Sequence, residues 1–204
     1  SPKTQSSLLE VMEEGQVTVD GTTYRMPSPF IVLATQNPVD FVGTYPLPEA
    51  QLDRFFMRVS IGYPSQDEEI DILDRFSGNV KPMEDVRPIC TAKDIIALQR
   101  AVGTVYASRE VRAYIAMIAA ASRKYSGLQL GISTRAAISL LRAAQARAML
   151  SGRDYVIPED IQAMAQSVLA HRIVLSPEAR MRSITPERAL NAVMGSVQVP
   201  VKLK

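Results

Sequence analysis

In "FIVLATQNPVD", residues 30–40, an apolar run ends abruptly in Thr35, Gln36 and Asn37, with Pro38 behind them. Ligands of parallel α/β sheets bind beyond the carboxyl ends of the strands, which is where such polar side chains would stand. Pro38 pushes Asn37 into extended backbone and so presents its amide at that edge; an Asx-turn that closes the strand is the competing use of the same residue. Arg135 falls in the first turn of "GISTRAAISLL", with Ser133 as the cap. There the helix macrodipole disfavours a cation by a few tenths of a kcal/mol. A compensating anion would remove the penalty, and plain solvent exposure would tolerate it. Arg54 stands in "YPLPEAQLDRFF", within reach of an ion pair with Asp53 or Glu49. An exposed pair of that kind contributes little.

These side chains need elements to hold them. "SPKTQSSLLEVMEEG" has helical spacing through Leu8, Leu9 and Met12 and stops at Gly15, suited to a left-handed cap. "GQVTVDGTTYRM" reads as two β-rich runs joined by Asp20-Gly21, a strong hairpin signal. "FIVLAT" is apolar without alternation, as expected of a strand buried on both faces of a parallel sheet. "FFMRVSIGY" alternates, with Phe55, Met57, Val59 and Ile61 on one side.

After Pro64 every segment has helical period. Ser65 caps a helix with Glu68 at the capping-box position and Ile70, Leu73 and Phe76 inward. Thr91 caps the next, with Ile95, Leu98, Val102 and Val105 on one stripe. Further helices start at Ser108 (Val111, Ile115 and Ile118 inward), at Ser133 (Ile138, Leu141, Ala144 and Ala148, ended by Gly152) and at Pro158 (Ile161, Met164 and Val168). A short last helix follows Thr185-Pro186. The expected architecture is an incomplete α/β unit over residues 1–64 and an all-α unit over residues 65–204, mostly helical overall. Residues 1–64 offer too few strands and helices to cover a sheet on both faces, so the rest of the α/β unit is expected upstream.

Composition narrows the function classes. With 47% hydrophobic residues, 204 residues suffice for an ordinary globular core. No window approaches the roughly 18 apolar residues of a membrane span, and the first residues lack the pattern of a secretory leader, so the expected compartment is the cytoplasm. The chain holds one cysteine, Cys90, and one histidine, His171, which argues against an internal disulfide and a metal-ligand cluster. Cys90 reads as a small apolar filler, His171 as a packing or surface residue, and Met149, Met164, Met181 and Met194 as helix-core fillers. Residues 123–188 carry 10 basic and 5 acidic side chains, an excess that either faces phosphates or is simply solvated.

At these residues the chain resembles the MoxR family of AAA+ proteins. "SPKTQSSLLEVMEEGQVTVDGTTYRMPSPFIVLATQNPVDFVGTYPLPEAQLDRFF" is similar to the second half of that family's ATPase domain. "GISTRAAISLLRAAQARAMLSGRDYVIPEDIQ" is similar to its helical lid, and the match continues to "SVQVPVK". The resemblance implies a truncated AAA+ α/β core over residues 1–64, with a pre-sensor 1 hairpin from Gln16 to Met26, a sensor 1 strand and an arginine-finger helix. Residues 65–204 would be an all-α lid carrying sensor 2.

The same resemblance implies a role for each residue that matches a family motif. Asn37 would be the sensor 1 asparagine that positions the attacking water against the γ-phosphate. Arg54 would be the arginine finger, supplied in trans to a neighbouring subunit's nucleotide, where it stabilises charge on the transferred phosphoryl group. Arg135 would be sensor 2, coupling nucleotide state to lid position; whether it serves its own subunit or a neighbour stays open. ATP and Mg2+ are the implied cofactors. The implied assembly is a homo-oligomeric ring, a hexamer in the parent protein. Its partners would be protein clients, among them proteins with von Willebrand factor A domains, with no membrane span and no nucleic acid.

The departures matter as much. Neither "GxxxxGK[ST]" nor an apolar strand ending in Asp-Glu occurs, so the main phosphate and Mg2+ elements are absent from this chain. The expectation is a piece of an ATPase that turns over no ATP alone. Two other classes compete: a nucleic-acid motor, supported only by the basic stretch, and a non-catalytic helical interaction module.

Overall fold

The computed structural model describes residues 11–12, 14–36, 48–77 and 86–200 of the chain. Val11, Met12 and Glu14 are helical, and Gly15 ends that helix at φ 61 with its N–H donating to the Val11 carbonyl at 3.0 Å. Strands β1 (Gln16–Val19) and β2 (Thr22–Arg25) pair antiparallel with Val19 opposite Thr22. Between them Asp20 and Gly21 both take positive φ, 49 and 77, the geometry that two-residue hairpins favour.

The two further strands expected in residues 1–64 do not form. Phe30–Thr35 belongs to no strand, and Ile31 and Leu33 are 77% and 86% exposed. Residues 55–63 are likewise irregular, with Ile61 and Tyr63 wholly exposed. An apolar run becomes a strand only when a neighbour satisfies its backbone, and among the described residues no strand pairs with either segment. Helix α1 (Glu49–Leu52) is a single turn between them.

Helices α2 (Gln66–Ser77) and α3 (Ala92–Val102) start where the sequence places them. Ser65 and Glu68 complete one capping box, with the Ser65 N–H donating to Glu68 Oε2 at 2.8 Å. Thr91 and Asp94 complete the other. Neither helix buries a residue: Ile70, Leu73 and Phe76, expected inward, are exposed, as is Leu98. Periodicity gives a helix an apolar stripe without supplying the surface that covers it.

The core lies in the second half. Helices α4 (Arg109–Lys124), α5 (Thr134–Leu150), α6 (Pro158–Leu169) and α8 (Pro186–Gly195) pack together around Val111, Ile118, Leu140, Ile161, Val168 and Leu190, all buried. Each such aliphatic side chain contributes about 1.5–3 kcal/mol on burial. Helices α5 and α6 share an extensive contact, and the small residues Ala136, Ala143, Ala144, Ala148 and Ala165 are all buried in the core between the packed helices. Hydroxyls start three of these helices: Ser108, Ser133 and Thr185 accept from the N–H of Val111, Ala136 and Arg188. Ile138 departs from expectation and is half exposed, and Met181 is 85% exposed rather than a filler.

The helical half also contains a small sheet. Strand β3 (Leu128–Leu130) pairs antiparallel with β4 (Val174–Leu175), and short helix α7 (Pro177–Met181) follows. A Cβ on Gly131, just after β3, would stand 2.8 Å from the Arg123 backbone nitrogen and 2.9 Å from Ser122 Oγ. That hydroxyl accepts from the Ile132 N–H at 2.9 Å and donates to the Ala119 carbonyl at 2.7 Å. The missing side chain therefore lets the strand lie directly against α4. No helix among the described residues is long and apolar enough to cross a membrane.

Candidate functional site

Asn37 lies outside the described residues, and the strand whose end it was expected to occupy does not form over Phe30–Thr35. Arg54 and Arg135 are described, and the structure brings their surroundings together through the residue between α1 and Arg54. Asp53 ends α1 and turns its carboxylate toward the start of α5. Ser133 Oγ donates to it at 3.1 and 3.2 Å, while the same oxygen accepts from Ala136 N–H to cap α5. Arg135 Nη1 stands 4.0 Å from Asp53 Oδ2. The anion that the first turn of this helix calls for is thus supplied by the chain itself. Asp53 thus faces residues about 80 positions away, Ser133 and Arg135.

The second cation at Asp53 is Arg172, which sequence reasoning missed. It closes the 3-10 turn Ala170–Arg172 behind α6, and its side chain is only 2% exposed. Nη2 donates to the carbonyls of Phe55 at 2.6 Å and Phe56 at 3.2 Å, and to Ser139 Oγ at 3.3 Å. Nη1 makes no hydrogen bond among the described residues and faces Asp53 Oδ1 at 3.6 Å. Burial lowers the Arg172 pKa, Asp53 opposes that shift and Arg135 adds to it. The guanidinium nonetheless keeps its charge throughout the physiological range.

His171 belongs to the same cluster. Its Nε2 lies 3.1 Å from the Phe55 carbonyl and 3.3 Å from Arg172 Nε. One nitrogen cannot serve both, and the shorter contact to a carbonyl requires Nε2–H as donor. Burial pushes the imidazole pKa down, with the charges of Arg172 and Arg58 acting the same way. The Arg58 N–H then donates to the Ser167 carbonyl at 2.8 Å, extending the grip along residues 55–58.

A cleft of about 350 Å³ opens beside this junction, with Glu49 and Leu52 on one wall and Arg172 to Leu175 on the other. Polar contacts centred on Arg172 tie the turn carrying Asp53 and Arg54 to the helical half. Arg54 itself is half-buried, its N–H donating to the Gln51 carbonyl at 3.2 Å. Cys90, expected as a filler, is an exposed free thiol. The one signal for Arg172 in the sequence is its position inside the apolar run "VLAHRIVL", where a charge has to be paired.

Two family descriptions match the chain. Residues 1–57 match the ATPase family associated with various cellular activities (AAA), and residues 120–193 match the AAA lid domain. The uncharacterized protein YeaC of Bacillus subtilis is 50% identical over 99% of this chain and 63% of its own length. Chaperone MoxR1 of Mycobacterium tuberculosis is 40% identical over 97% of this chain and 54% of its own length. A crystal structure of a putative ATPase from Cytophaga hutchinsonii superposes with a TM-score of 0.90 at 39% identity, over 98% of this chain and 63% of that one. The chain thus spans between about half and two thirds of the length of these relatives.

Proposed function

Because the chain belongs to the MoxR family of AAA+ ATPases, with an AAA core and lid fold, we propose that it forms the sensing half of an ATP-driven, chaperone-like ring. In this reading Arg54 reaches a neighbouring subunit's nucleotide as an arginine finger, Arg135 responds to nucleotide as sensor 2, and Asn37 aligns the attacking water. ATP and Mg2+ are the cofactors, and protein complexes, including partners with von Willebrand factor A domains, are the clients. The phosphate loop is absent from these 204 residues, so alone they hydrolyse no ATP.

The observation that carries the reading is the junction at Asp53. The residue next to Arg54 faces the guanidinium of Arg135 at 4.0 Å, so the two proposed phosphate-facing arginines belong to one connected unit. Phosphoryl transfer needs positive charge delivered by position rather than by covalent chemistry, and a carboxylate that links the turn of Arg54 to Arg135 suits that need.

The test is ATP turnover by the full-length protein with Arg54→Ala subunits mixed into wild type. Inhibition steeper than dilution supports a shared site. Strict proportionality to the wild-type fraction overturns the trans role. Turnover by the 204 residues alone would refute their proposed inactivity.

A further inference from the structure

We propose that Asp53 is a positioning residue shared between Arg135 and Arg172, and that nucleotide binding at Arg135 transfers its carboxylate to Arg172, resetting the turn that carries Arg54. The inference rests on the proposed nucleotide role of Arg135 and adds to it the element through which that role reaches Arg54.

Three observations carry it. Asp53 is divided between cations on either side, with Arg135 Nη1 at 4.0 Å from Oδ2 and Arg172 Nη1 at 3.6 Å from Oδ1. Both distances exceed a hydrogen bond, so neither claim on the carboxylate is complete. Arg172 Nη1 is a buried donor with no hydrogen bond among the described residues, and the nearest anion is this carboxylate. A shift of about 0.8 Å would turn the 3.6 Å contact into a charge-assisted hydrogen bond of about 2.8 Å. Finally, Arg172 already holds the backbone just beyond Arg54 through the Phe55 and Phe56 carbonyls, so a stronger hold on Asp53 grips Arg54 from both flanks.

The direction of the exchange follows from charge. Arg135 is half-exposed, its side chain 51% accessible, so a phosphate can reach it from solvent. A triphosphate carries more charge than one carboxylate and draws the guanidinium away. Asp53 keeps its Ser133 contact and loses only the weaker of its two cations. The open cleft beside α1 leaves room for the turn to follow. In the absence of nucleotide the carboxylate competes for Arg135 and lowers its affinity for phosphate.

The experiment is a cycle of Asp53→Asn and Arg135→Ala in the full-length protein, with nucleotide affinity and turnover measured separately. Asparagine keeps the size of Asp53 and its contact with Ser133 but lacks the charge. Asp53→Asn should tighten binding of a fluorescent ATP analogue by about fivefold, the lower range of site-to-site coupling, while lowering kcat. That gain should vanish when Arg135→Ala is added. Arg172→Lys, which keeps the charge but has one nitrogen where Arg172 uses Nη2 for the carbonyls and Nη1 for Asp53, should lower kcat with nucleotide affinity within about twofold. A merely structural Asp53 would weaken binding and turnover together. Nucleotide affinity unchanged by Asp53→Asn, while Arg135→Ala weakens it, overturns this inference and leaves the role of Arg135 standing. Affinity unchanged by Arg135→Ala overturns both.

Discussion

Arg153 and Asp160 close a two-point fork at the start of α6, Nη1 standing 2.8 Å from Oδ2 and Nη2 2.6 Å from Oδ1. Asp160 is 1% exposed and also accepts the Ile157 N–H at 3.0 Å, so the fork ties the Arg153 turn to the first turn of the helix. Removing one member of a buried pair strands the other. Arg153→Ala should therefore cost about 3 kcal/mol in urea unfolding, at the low end for such pairs because Arg147 stays 3.6 Å from the carboxylate. A loss below about 1 kcal/mol would mean the pair behaves as an exposed one. Burial alone would raise the Asp160 pKa, but the Arg153 and Ile157 hydrogen bonds and the Arg153 and Arg147 charges outweigh it and hold the pKa below its ordinary value. Its contribution is present above about pH 4 and lost as pH falls below that, a limb that Asp160→Asn should flatten.

His171 should give a second pH dependence in a higher window. Burial depresses its folded-state pKa, assisted by Arg172 and Arg58 and opposed by the Phe55 carbonyl and Asp53. The unfolded chain then takes up the proton first, near about pH 6.5, so stability is complete at about pH 7.5 and declines as pH drops through that value. His171 is the sole histidine, so His171→Gln should remove the slope between about pH 7 and 5. Thermal melts at half-unit pH steps would decide, and equal slopes in both proteins would refute the assignment.

Two glycines should respond to alanine in opposite directions. Gly131→Ala drives a methyl into the Ser122 and Arg123 backbone and should cost about 1–3 kcal/mol, as overpacking does. Gly195 ends α8 where an added methyl would meet nothing within 4 Å, so Gly195→Ala should be neutral or gain up to about 1 kcal/mol. Denaturation midpoints that move together would show that the approach of β3 to α4 is looser than the structure has it.

Arg172→Met should free the turn bearing Arg54 while leaving the helical core folded. The Arg58 amide, which donates to Ser167, reports this directly. Its hydrogen exchange should accelerate at least about tenfold, equivalent to about 1.4 kcal/mol of local opening, while amides within α4 keep their protection. Unchanged exchange at Arg58 would show that the turn is held some other way.

What could be read from the sequence was local. Ser65, Thr91, Ser108, Ser133 and Thr185 each announce a helix start because a cap acts within three residues, and each does so in the structure. Asp20-Gly21 forms its hairpin for the same reason, since its backbone preference is its own. "FIVLAT" looked equally clear, yet a strand depends on partners that its own residues cannot supply. β3 and β4 are three and two residues long, too short to show a period. At the candidate site, Arg54 and Arg135 were singled out by their local context and given roles by family resemblance, whereas Arg172 meets Phe55 across 117 positions and leaves no trace of that partner in any window.

The grip of Arg172 on residues 55 and 56 falls on main-chain oxygens, which every amino acid possesses. Exchange of either phenylalanine during evolution would leave that clasp intact, so the path of the polypeptide is preserved there even where its letters drift. The burden of inheritance shifts to the arginine alone.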